Sequence, residues 1–209
     1  MGLFFQHNIN DFTRLAIWKI EEDESFFVES VPSKRDISHP HKRLQHLAGR
    51  FLLKYLFPDF PSGEIEIADT RKPYLLQEQY HFSISHAGGY AAAIVSNKDR
   101  VGIDIELFSE KLKRISHKFL EREELELADD GMGGQDLRML TMFWGAKESV
   151  FKWWSYGNIS LKDHIKIRNL EEYPEQIVHV DFIRDGEEFP IQVSFKLFEE
   201  MSLCWLVGQ

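Results

Sequence analysis

The sequence predicts an α+β fold of two comparable halves, and three observations carry that expectation. Amphipathic helical segments and β-favouring runs follow one another as helix then strands, twice along the chain. The 209 residues suit one domain, or two small halves sharing an interface. Hydrophobic residues at 43% and charged residues at 28% supply a core and leave no compositional case for disorder.

Residues 11–31 carry the apolar run Leu15-Ala16-Ile17-Trp18 and then acidic residues, which reads as a strand leading into a short helix or loop. An amphipathic helix is expected over residues 42–57. There Leu44, Leu47, Ala48, Phe51, Leu52, Tyr55 and Leu56 recur at three- and four-residue steps, and Pro58 ends the run. Ile65 with Ile67, then residues 80–84, 90–96 and 101–105, are short strand-like runs separated by Gly, Asp or Asn. A second helix is expected over residues 116–128. A third spans 136–154, where Leu140, Phe143, Trp144, Lys147, Glu148, Phe151 and Lys152 share helical spacing. The tail returns to strands at 165–170, 177–183, 191–198 and 202–208, with Asp185-Gly186 as a hairpin turn. The scattered prolines mark no linker, and the repetition divides the chain into halves 1–105 and 106–209.

A net charge of −9 argues against a general nucleic-acid binder or a polybasic membrane-surface protein, while leaving room for a local basic pocket. The single cysteine, Cys204, cannot form an intrachain disulfide, which fits a reducing cytoplasm. Neither a signal peptide nor a membrane-spanning run is expected.

Three groups carry chemistry. In Val101-Gly102-Ile103-Asp104-Ile105-Glu106, a strand points both carboxylates to one face and Ile103 and Ile105 to the other. Two acids on one face either hold a hard cation, Mg²⁺ before Zn²⁺, or are solvated acids on an edge strand. In Trp144-Gly145-Ala146-Lys147-Glu148-Ser149-Val150-Phe151-Lys152, Glu148 and Lys152 share a helix face, as a surface ion pair would. In His81-Phe82-Ser83-Ile84-Ser85-His86-Ala87-Gly88-Gly89, a strand runs into a glycine turn with Ser85 and His86 at its mouth, where a phosphate could be received.

Together with Lys72-Pro73, these groups stand in the order and spacing of a known family. The sequence resembles the 4′-phosphopantetheinyl transferases, in particular their longer, monomeric Sfp-type branch, over residues 34–152. The resemblance implies a pseudo-dimer of two similar α+β halves with the active site in the cleft between them. It implies transfer of 4′-phosphopantetheine from coenzyme A to a serine of an apo acyl or peptidyl carrier protein, releasing adenosine 3′,5′-bisphosphate. Asp104, Glu106 and Glu148 match the Mg²⁺ carboxylates, and Lys152 the lysine that neutralises charge near the pyrophosphate. Glu148 is the candidate acceptor of the serine proton. Lys34, Arg50, Lys72, Ser85 and His86 fall near positions that hold the 3′-phosphate and adenosine of coenzyme A. Gln45 stands where many relatives carry Glu, and Arg71 where many carry Gly.

Two other classes compete. A Mg²⁺-dependent nuclease would also use an acid pair followed by Glu and Lys, but Phe108 stands where it needs a lysine, and the chain is acidic. A binding module without turnover is opposed by the intact Asp104, Glu106, Glu148 and Lys152 set. Since carrier proteins are acidic around the modified serine, docking is expected beside Lys111, Lys113, Arg114 and Lys118, with apolar contacts from Phe108, Leu112 or Phe119.

Overall fold

The computed structural model describes residues 2–31, 37–129, 131–171 and 174–208. The fold is α+β, and the chain divides into two compact units between Ile103 and Asp104.

The first unit contains β1 (Leu3–Asn8), β2 (Thr13–Lys19), α1 (Glu24–Val28), α2 (Pro40–Leu56), β3 (Ile65–Ile67), β4 (Pro73–Leu75), β5 (His81–Ala87), β6 (Tyr90–Ser96) and the start of β7 (Arg100–Leu107). Antiparallel pairing orders its main sheet β1-β2-β6-β5. All seven residues of β6 are buried. Its small side chains let α2 come close, and Ala91, Ala93 and Val95 share a core with Leu47, Ala48, Leu52 and Leu53. At the tightest point a Cβ on Gly49 would lie 2.6 Å from Ile84 Cγ2, so α2 crosses β5 where only glycine fits. Gln45 Nε2 donates to the Gly88 carbonyl (2.8 Å), tying α2 to the β5–β6 turn. An ionised Glu at position 45 has no hydrogen to give that carbonyl.

The second unit continues β7 and adds α3 (Lys111–Ile115), a 3₁₀ turn (Ser116–Lys118), α4 (Arg122–Leu127), α5 (Leu137–Trp154), β8 (Ile165–Glu171), β9 (Ile177–Arg184), β10 (Glu187–Leu197) and β11 (Met201–Gly208). Its sheet runs β7-β11-β10-β9-β8. The Asp136 side chain caps α5 by accepting from the Arg138 and Met139 amides at 2.7 and 3.4 Å. Leu140, Phe143, Ala146 and Val150 then bury against Ile165, Val180, Phe182, Val193, Cys204 and Leu206. Asp185 and Gly186 both take positive φ, 53° and 85°, as a two-residue type I′ hairpin requires.

Three expectations need correction. The single helix over 116–128 is instead a 3₁₀ turn and a separate α4. Glu121 begins the second piece through a capping box, its side chain accepting from the Glu124 amide while Glu124 Oε2 accepts from the Glu121 amide (2.7 Å). Strands β1 and β4 had no sequence signal. The first is a half-polar edge strand held by pairing with β2, and the second is a three-residue strand beginning at Pro73. Leu112 and Phe119 are 7% and 2% exposed within the second unit's core, so neither can offer an apolar contact to a partner.

Arg71 adopts φ +65° in the turn where Arg71 N donates to the Ala68 carbonyl and Ala68 N to the Lys72 carbonyl. A side chain in this left-handed region costs about 1 kcal/mol that glycine avoids. Arg71→Gly is expected to leave the fold intact and to match or exceed the parent's stability, by up to about 1 kcal/mol, in urea titration.

Candidate active site

In the second unit, β7 and α5 carry four of the expected residues. The strand's period-two alternation turns Ile103 and Ile105 to one side and Asp104 and Glu106 to the other. Asp104 is 3% exposed, which removes the reading of a solvated acid pair. Glycine at 145 brings α5 close at this level: a Cβ there would lie 3.6 Å from Asp104 Oδ2 and 3.1 Å from Cys204 Sγ.

Lys152 does not serve α5 as a simple surface ion pair with Glu148. Its Nζ donates to Asp104 Oδ1 at 2.6 Å, joining the last turn of the helix to the strand. Trp144, four residues before Glu148, donates Nε1–H to Glu106 Oε1 at 3.3 Å, and the edge of its ring pair with Phe119 (centroids 4.9 Å apart) sets its plane.

Burial and then the charge on Asp104 raise Glu106 to about 7, against the opposing Trp144 hydrogen bond and Lys152 charge. Glu148 is raised by burial and then by Asp104, against Lys152. The donor set is therefore three carboxylates that repel one another, with oxygen ligands alone, and this chemistry suits a hard divalent cation. Among the described residues no group of three acidic, His or Cys side chains is gathered tightly enough to hold an ion by itself.

The first unit carries Arg50, Lys72, Ser85 and His86. Arg50 follows Gly49 on α2. Ser85 and His86 are neighbours on β5 and so point to opposite faces, Ser85 buried at 6% exposure and His86 exposed. Lys72 is lowered to about 8, first by burial and then by the positive charge of Arg100. Lys34 lies outside the described residues.

A family model described as the 4′-phosphopantetheinyl transferase superfamily matches residues 100–202, from β7 into β11. Enterobactin synthase component D of Escherichia coli is 34% identical over 143 residues, covering 64% of this chain and 68% of that protein. The chain belongs to the 4′-phosphopantetheinyl transferase superfamily. A Haemophilus influenzae protein with the provisional designation 4′-phosphopantetheinyl transferase is 28% identical over 183 residues, covering 80% of this chain and 73% of its own. Enterobactin synthase component D of Salmonella austin is 32% identical over 132 residues, 62% of this chain and 55% of that one.

Two residues of this transferase make contacts that the sequence does not signal. Lys147 is 0% exposed, and its Nζ donates to Glu124 Oε2 (2.9 Å), the Phe119 carbonyl (2.8 Å) and the Leu161 carbonyl (3.1 Å). Glu124 in turn accepts from the Ile167 amide (2.7 Å). The signal was a lysine at i+4 from Phe143 and i−3 from Val150, on the apolar stripe of α5. Trp144 was seen as a motif member, but its partner on a strand 38 residues away had no local signature.

Two outcomes follow from this geometry. Lys147→Met leaves Glu124 in the core without its ammonium partner and is expected to cost about 3–5 kcal/mol in urea unfolding, much of it regained in Lys147→Met with Glu124→Leu. The second concerns acid. Glu106 has a folded pKa near 7 against an ordinary 4.5, so the folded chain keeps a proton that the unfolded chain has lost. Its contribution to stability is full below about pH 4.5 and is lost as the pH rises through 7. Urea midpoints of Glu106→Gln should lack that decline, while the parent shows it.

Proposed function

We propose that this transferase moves 4′-phosphopantetheine from coenzyme A to a serine of an apo acyl or peptidyl carrier protein, in the manner of the Sfp-type branch and with Mg²⁺. The observation that carries the reading is the Lys152–Asp104 ion pair joining α5 to β7, with Glu106 and Glu148 both raised by burial and by the charge on Asp104, inside the segment that matches the superfamily model. Relatives named as a component of an enterobactin synthase support a biosynthetic synthase as the setting.

In the proposed reaction the serine oxygen bonds to the phosphorus that carries pantetheine, and the bond from that phosphorus to the bridging oxygen breaks. Adenosine 3′,5′-bisphosphate leaves with the electron pair. Glu148 takes the serine proton. Burial has raised its proton affinity toward neutral pH, where a general base is most effective. Mg²⁺ would be held by Asp104, Glu106 and Glu148 and would neutralise charge on the pyrophosphate. Lys152 exchanges its bond to Asp104 for one to a phosphate oxygen, trading one charge-assisted contact for another. Trp144 holds Glu106 on the side of β7 that faces α5.

The test is to incubate the protein with coenzyme A, Mg²⁺ and candidate apo carriers and to weigh the carriers by mass spectrometry. The parent should add phosphopantetheine to at least one of them. Asp104→Ala should lower the rate by about 10²-fold or more. Near-parental turnover in that variant would remove the carboxylates from the mechanism.

A further inference from the structure

Glycine is the poorest helix former after proline, yet Gly145 stands buried in the interior of α5. The reason lies across the contact between helix and sheet. A Cβ at 145 would lie 3.1 Å from Cys204 Sγ, 3.5 Å from Cys204 Cβ and 3.6 Å from Asp104 Oδ2. The sulfur contact is the one tighter than ordinary packing, which keeps carbon-sized atoms roughly 3.5–4.0 Å apart. Cys204 is fully buried on β11, which the sheet order places between β7 and β10. Its thiol donates to the Met142 carbonyl at 3.4 Å, so the sulfur rests on α5 at the level of Met142 and Gly145. Burial and then the negative charge of Asp104 raise the thiol's proton affinity, and the sulfur stays a neutral donor that adds no further negative charge beside the carboxylates.

Gly145, Glu148 and Lys152 stand at i, i+3 and i+7 and so lie along one stripe of the helix. The end of that stripe meets the strand where Lys152 Nζ donates to Asp104 Oδ1 at 2.6 Å. Close-packed interiors transmit small shifts instead of absorbing them, so a displacement at Gly145 carries Glu148 with it. A methyl group at 145 needs about 0.4 Å more room beside the sulfur. A working constellation tolerates roughly 0.5 Å of misplacement, and metal–ligand distances only about 0.2 Å. The space left by this one glycine is therefore of the size that decides whether three carboxylates can share an ion.

We infer that Gly145 and Cys204 are a size-matched positioning pair: the sulfur seated against the glycine sets the spacing of α5 from β7 and β11, and with it the placement of Glu148 relative to Asp104 and Glu106 for a divalent cation. This rests on the proposed metal role of those carboxylates. Both residues act through the helix and neither is a ligand. Cys204 stands on the last strand, 100 residues beyond Asp104 in sequence, and outside every motif that carries the chemistry.

Titration of the full chain with Mn²⁺, with and without coenzyme A, tests this without turnover when free ion is read by electron paramagnetic resonance. The parent should take up Mn²⁺. Gly145→Ala should weaken that binding about tenfold, the usual loss when a group behind a metal ligand is disturbed. Cys204→Ala removes the stop and should also weaken it. The double variant exchanges one small group for another across the contact and should recover most of the affinity that either single change loses. A clash that matters only to the fold would lower the urea midpoint of Gly145→Ala and leave the Mn²⁺ affinity of the folded protein at the parental value. That outcome overturns the inference, as does a double variant that binds no better than the single ones. If Gly145→Ala fails to fold, Cys204→Ala decides, with parental affinity counting against the pair. Parental protein that takes up no Mn²⁺ in either condition overturns the metal reading, and the inference with it.

Discussion

Burying a lysine ammonium is costly unless every hydrogen finds an acceptor, and the second unit is arranged around meeting that demand at Lys147. Glu124 and the carbonyls of Phe119 and Leu161 take its donors, and Glu124 spends its remaining capacity on the amides of Glu121 and Ile167. One ion pair thereby fixes α5, the start of α4, the turn before it and β8 relative to one another. Hydrophobic residues of similar volume could fill the space with comparable stability. The next residue along the helix is Glu148, on the element that the pair anchors.

The functional face of α5 works under the opposite constraint. Asp104, Glu106 and Glu148 are partly or wholly removed from water and share a sign of charge. Lys152 and the Trp144 indole reduce this repulsion without removing it, so Glu106 and Glu148 hold their protons more tightly than exposed carboxyls do. A fold optimised for stability alone would separate such groups. The strand and helix are instead held together by a glycine at 145 that admits close approach and by apolar packing on the opposite side of α5.

Much of the fold was legible because its signals are local. The three- and four-residue repeat in α2 and α5, the Asp185-Gly186 turn and the apolar run of β6 follow from dihedral preferences over a few residues. The helix expected over 116–128 was misread because the apolar spacing persists through Phe119 and Leu120 although the capping box at Glu121 starts a new helix. Strand β1 was missed because its exposed, half-polar sequence owes its conformation to β2 rather than to its own pattern.

By itself, the sequence determined that Asp104 and Glu106 share a strand face, that Glu148 and Lys152 share a helix face, and that the motifs around them resemble one enzyme family. Those relations follow from the periods of strand and helix, which hold in any context. Only the tertiary structure decided that Lys152 reaches across to Asp104, that Trp144 holds Glu106, that Ser85 is buried while His86 is exposed, and that Lys147 is a core residue. Such outcomes depend on which side chains, tens of residues apart, compete for the same acceptor and on how much water each keeps. Desolvation and partner choice are properties of the packed chain, and no local spacing encodes them.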